Sequence, residues 1–193
     1  NAVHSFLAYT GLLGGWTYVA QVVGLDTYRD AAEKLLSSEI RPTLEAPPGI
    51  DIAAYHEKVL TRFANTALHH RLEQVAMDGS QKLPQRVVPT IGLHLAAGTE
   101  PPPLSLLILA AWYRCLTVGR SDSGQDIVIV DPTADAIRRG AHGRPSARHL
   151  LSESSVIPQW MAESSDLERE LDEHLRSLDR VGVVGTLSRV LAG

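Results

Sequence analysis

The chain has 193 residues, room for one domain or one domain with an appendage. Its formal charge of -4 at pH 7, with no basic tract, argues against a general nucleic-acid binder. A hydrophobic content of 44% suffices for a sizeable core, and the single cysteine, Cys115, excludes an intramolecular disulfide framework and points to a reducing cytoplasm.

The chain starts abruptly, with Asn1-Ala2-Val3-His4 running straight into apolar sequence, as in a piece of a longer protein. Val3–Val23 is apolar on almost every face and carries Gly11, Gly14 and Gly15, which predicts two buried helical segments with a break or close contact between them. Asp26 is a good N-cap for a helix over Thr27–Leu44, with Ala31, Leu35, Leu36 and Ile40 on its inner face. Glu45–Ile50 reads as a loop, and Asp51 as the cap of a helix over Ile52–Phe63 that Asn65 ends. A short helix follows over His69–Ala76.

Asp78-Gly79-Ser80 has the composition of a turn, and Pro84 suits the first position of a helix reaching Ala97, with Gly98 at its C-cap. Pro101-Pro102-Pro103 prevents that helix from continuing. Leu104–Val118, interrupted only by Arg114, is too short for a confident membrane span and fits a central buried helix, with Cys115 as a small core residue. Ser121–Gln125 is a polar turn, and Asp126–Val130 has the only strand character, as a short extended connector. Asp131-Pro132 opens a helix through Arg139, Gly140–Arg144 is a loop and Pro145–Leu151 a short helix. An amphipathic helix over Asp166–Leu178, with its acidic face in Glu163–Glu173, and a last one over Val181–Leu191 complete the chain. These elements add up to one all-α domain.

Several chemistries lack their patterns. No histidines stand at i, i+4, and His69-His70 point to different helix faces, so no metal site is expected. There is no nucleophile elbow after a strand, and Gly182-Val183-Val184-Gly185 lacks the strand and third glycine of a phosphate loop. Two polar spots remain, Asn1/His4 and Gln74–Arg86. Lys82 and Arg86 flank the expected helix start at Pro84, where free N–H groups and the helix dipole favour an anion; the alternative is a solvated turn. Asn1 and His4 lie three apart on one helix face, either as a polar site or as a cap with a satisfied histidine.

The ordered landmarks Asn1-Ala2-Val3-His4-Ser5, Glu39-Ile40-Arg41-Pro42-Thr43-Leu44, Pro48-Gly49-Ile50-Asp51, Arg62-Phe63-Ala64-Asn65 and Met77–Arg86 resemble the C-terminal domain of the mannitol dehydrogenase family, the long-chain polyol and sugar-acid dehydrogenases. The resemblance covers nearly everything up to about Val130. It implies a multi-helix substrate-binding domain, like the C-terminal domain of 6-phosphogluconate dehydrogenase-like enzymes, spanning 1–193 and preceded in the parent by a Rossmann-type domain. It also implies a metal-independent enzyme that uses NAD, with NADP as the alternative, held mainly by that upstream domain. No cofactor-binding residue is assigned in this chain, and neither nucleic acid nor membrane is an expected partner.

The family signature Lys-x4-Asn-x2-His matches at Asn1 and His4, with the acid/base lysine falling upstream of Asn1. By resemblance, Asn1 donates a hydrogen bond to the developing oxyanion, and His4 orients the substrate. Lys82 corresponds to a substrate-binding lysine. Gln74 stands where the mannitol enzymes carry a substrate-contacting arginine, and the run Gln74–Arg86 is closer to the fructuronate reductase (D-mannonate oxidoreductase) branch. That favours a sugar acid, its carboxylate held by Lys82 and Arg86. The alternatives are a mannitol 2-dehydrogenase and a non-catalytic helical interaction module.

Overall fold

The computed structural model describes residues 1–44, 58, 61–63, 69–142 and 144–193. The expected loop Glu45–Ile50, the Asp51 cap, Asn65 and most of the expected helix Ile52–Phe63 lie outside these residues; Lys58 and residues 61–63 are helical. The architecture is all-α, as the apolar periodicity requires, and no helix among the described residues is long and apolar enough to cross a membrane.

Helix α1 spans Ala2–Leu13 and α2 Val19–Val23, with the break at Gly14 and Gly15. Gly15 takes a φ of 82°, which favours glycine there. Helix α3 begins at Asp26 itself, with Leu25 in the N-cap position, and Asp26 turns to Arg29 instead of capping. It runs to Lys34, then loosens into a π-helical turn over Leu35–Ile40 and a 3-10 turn over Arg41–Thr43, where a single helix to Leu44 was expected. Pro42 has no N–H to bond back to Ser38, so regular α-helical pairing cannot continue through this stretch.

Helix α4 spans Leu72–Ala76, α5 Gly79–Arg86, α6 Val88–Ala96 and α7 Pro103–Thr117. Helix α7 is the axis of the fold. Apart from Pro103 and Arg114 its residues are buried, and both α1 and α11 (Ser165–Ala192) pack along it. Cys115 lies in this core with its thiol on the Tyr9 carbonyl, and burial pushes its pKa up. Residues 127–130 belong to no helix or strand, with Ile127 and Ile129 buried and Val128 and Val130 exposed.

Helix α8 spans Ala134–Ala141, later at both ends than the expected Asp131–Arg139; at its start, the Asp131 side chain is drawn into the core. Helix α9 covers Ala147–Leu151, and α10, Gln159–Ala162, had no signal in the sequence. Helix α11 is continuous in name but broken at Gly182 (φ 69°, ψ -175°), close to the expected gap between Leu178 and Val181. Asp122 accepts a hydrogen bond from Val183 N at 2.6 Å and so restarts the helix after the break.

Candidate functional site

Helix α1 packs on α5, and this brings Arg86 of the second polar spot near Asn1 and His4 of the first. Tyr9, midway along α1, donates its hydroxyl to the Ala76 carbonyl at 3.0 Å, and its ring end lies against Gly79. Towards the start of α1, His4 feels the charge of Arg86, in the last turn of α5. The two helices therefore run antiparallel, with Asn1 and His4 beside the end of α5.

His4 is half-buried, its ring edge-on to Phe63 at 4.5 Å. Burial is the main cause that pushes its pKa down, to about 4, followed by the amino group of Asn1 in this chain and then by Arg86 and Arg62. The imidazole is thus neutral at physiological pH, with one ring nitrogen a donor and the other an acceptor. Asn1 is exposed and occupies the N-cap position of α1, yet its side chain makes no capping hydrogen bond. The cap alternative for Asn1 therefore finds no support in the geometry.

The expected anion seat at a helix start is not formed. Helix α5 begins at Gly79, after Asp78 in the left-handed region (φ 56°), and Pro84 lies inside it. Lys82 is well into the helix and places Nζ 2.5 Å from the Met77 carbonyl, while Arg86 sits at the C-terminal end, where a cation complements the dipole. Arg86 makes no ion pair among the described residues. Gln74 is exposed on α4, and no hydrogen bond joins it to Asn1, His4, Lys82 or Arg86 among the described residues.

The start of α5 is displaced from Pro84 because its anchor comes from Asp131. The buried carboxylate accepts from Ser80 N at 2.9 Å and Trp112 Nε1 at 3.2 Å on one oxygen. Its other oxygen accepts from Thr133 N at 3.0 Å and Thr133 Oγ1 at 2.9 Å. Burial alone would raise its pKa, but the donors from Thr133 and Ser80 prevail and hold it below the usual carboxylate value. By local pattern Asp131-Pro132 is a helix opener, and nothing local signals a bond to Ser80.

Residues 1–179 match the family model described as the mannitol dehydrogenase C-terminal domain. The D-mannonate oxidoreductase of Escherichia coli (strain K12) is 40% identical over 169 residues, which cover 86% of this chain and 34% of that protein. A mannitol 2-dehydrogenase of Phaeosphaeria nodorum is 32% identical over 189 residues, covering 98% of this chain and 33% of the relative. Among solved structures, the Pseudomonas fluorescens mannitol 2-dehydrogenase ternary complex with NAD and D-mannitol superposes with a TM-score of 0.92 at 28% identity, over 98% of this chain and 38% of that one. The chain thus spans about a third of the length of the relatives it matches.

Proposed function

The chain belongs to the mannitol dehydrogenase family, as its C-terminal domain, and from that premise we propose that the whole protein interconverts D-fructuronate and D-mannonate as an NAD-dependent secondary-alcohol dehydrogenase. The observation that carries the sugar-acid reading is Arg86, a cation without an ion-pair partner among the described residues, acting on a neutral His4. A uronate differs from a ketose by its carboxylate, which a guanidinium grips through two parallel hydrogen bonds.

In this reading Asn1, with its amide uncommitted to capping, donates to the oxygen on which charge develops. His4 orients a substrate hydroxyl through its donor or its acceptor nitrogen. Lys82 can exchange its bond to the Met77 carbonyl for a substrate oxygen, and Gln74 supplies a neutral donor and acceptor at the rim. The acid/base lysine belongs to the segment before Asn1. When bound, the nicotinamide cofactor accepts or supplies the hydride. In this proposal the cofactor's site belongs to the Rossmann-type domain that the family resemblance implies upstream. The second reading is the same chemistry on D-mannitol and D-fructose, favoured by the likeness to the two mannitol 2-dehydrogenases.

The test is competition kinetics on the full-length protein with NADH, fructuronate and fructose. The expected result is a higher kcat/KM for fructuronate, and Arg86→Gln lowering that value about a hundredfold, as for loss of a charge-assisted pair of about 2–3 kcal/mol, while fructose changes little. Better turnover of fructose, or an equal loss on both substrates, sinks the sugar-acid reading.

A further inference from the structure

We infer that Asp131 is a positioning residue for the substrate site: it fixes the start of α5 so that Lys82 and Arg86 stand in register with Asn1 and His4. This rests on the functional reading above and extends it to a residue that touches neither substrate nor cofactor.

The two halves of the site are held by different means. Asn1 and His4 ride on α1, a helix of 12 residues built into the core. Lys82 and Arg86 ride on α5, which has eight residues and contains Pro84. A helix this short has little stability of its own and takes its place from its surroundings. Its N-cap residue, Asp78, makes no side-chain capping bond. The start of α5 is secured instead by Asp131 on Ser80 N and by Asp78 N on the Val130 carbonyl at 3.0 Å.

Asp131 also ties this turn to the core axis through Trp112 of α7 and to the start of α8 through Thr133. Lys82 follows Ser80 by two residues, and its ammonium leans on the Met77 carbonyl in the same turn. Any shift of that turn relative to α1 therefore moves Lys82 with it. Misplacing a binding group by about 1 Å can cost on the order of a hundredfold in rate.

The asparagine variant removes the charge and turns an NH2 towards one of the donors that Asp131 now satisfies. In the full-length enzyme, Asp131→Asn should raise KM for the sugar acid about tenfold and leave KM for NADH unchanged. Thr133→Val removes one donor of the set without exchanging the carboxylate, and should raise the same KM about two- to threefold even if Asp131→Asn folds poorly. Because Asp131 acts through Lys82 and Arg86, adding Asp131→Asn to a Lys82→Ala, Arg86→Gln background should change KM by less than about twofold, since coupled residues are not additive. A lowered melting temperature with the sugar-acid KM unchanged in both single variants overturns the inference, as does full multiplication of the Asp131→Asn effect in the background that lacks both Lys82 and Arg86. A silent Lys82→Ala sinks the site reading and the inference together. An effective Lys82→Ala beside silent Asp131 and Thr133 variants sinks the inference alone.

Discussion

The starts of α7 and α5 use the same device for different ends. Each is capped by a buried carboxylate from far away in sequence: Glu39, 65 residues before Leu104, and Asp131, 51 residues after Ser80. Glu39 accepts from Leu104 N at 2.7 Å, Ser105 N at 2.8 Å and Ser105 Oγ at 2.7 Å. The helix it caps is core along its length, so Glu39 acts only on stability. The helix capped by Asp131 is short and ends at Arg86 beside His4, so the same kind of bond there acts on the relative position of functional groups. The consequence of a cap is set by what its helix carries.

The largest expected effect is at the structural end of this pair. Glu39→Ala leaves the start of α7 with unsatisfied donors in a site where Glu39 is 4% exposed. Each buried donor left unmade costs about 1–3 kcal/mol, so denaturant unfolding should show a loss on the order of 3 kcal/mol or more. Glu39→Gln, which can still accept through one oxygen, should lose clearly less. Equal stability of wild type and Glu39→Ala would break the comparison, because the cap would then carry nothing.

A second, pH-dependent probe lies at the same end of α7. His174 is buried, with Nε2 lacking a hydrogen-bond partner among the described residues, and burial holds its pKa down at about 4 against an ordinary value of 6.5. Glu170, Glu173 and Arg189 line the cleft beside it. Above pH 6.5 the imidazole is neutral in both folded and unfolded chains. As pH falls from 6.5 towards 4, the unfolded chain takes up the proton and the folded one does not, so stability drops across that window. The full shift corresponds to about 3 kcal/mol. Urea unfolding between pH 7 and 4.5 should show this slope in wild type and a much flatter profile in His174→Gln. His4 contributes in the same direction, since its pKa is also about 4, but it is only half-buried. An unchanged slope in the variant would assign the acid sensitivity to His4 or the carboxylates.

What the sequence revealed follows the range of the interactions involved. The central helix was legible because Leu104–Val118 is one apolar run, and the break in α11 because Gly182 lies where the amphipathic pattern stops. Asn1 and His4 were legible as a pair because i, i+3 spacing fixes a shared helix face. The start of α5 was not, since its anchor is Asp131 and not a neighbour, and Pro84, a good first-turn residue by local rules, sits inside. At α3 the expected cap Asp26 is the first helical residue and pairs locally with Arg29. Carboxylates that cap across the fold, Glu39, Asp131 and Asp122 among them, leave no local spacing to read.

The smallest expected effect sharpens the functional end of the pair, and it sits at Gly79. A Cβ there would meet the Tyr9 hydroxyl and, at 2.5 Å, Trp112 Nε1, the same N–H that donates to Asp131. Both neighbours are fixed: Tyr9 by its bond to the Ala76 carbonyl and Trp112 by complete burial in α7. Gly79→Ala must therefore move the start of α5 away from α1 and α7, rather than push aside a flexible side chain. Overpacking of this kind costs about 1–3 kcal/mol, and we place this case near the middle, because the displaced turn borders solvent at Gln81. If the start of α5 sets the position of Lys82, Gly79→Ala should raise the sugar-acid KM in the full-length enzyme severalfold while NADH binding is unchanged. The Glu39→Gln enzyme should lose stability without that change in KM. A KM response in both, or in neither, would show that the two caps do not divide stability and placement between them.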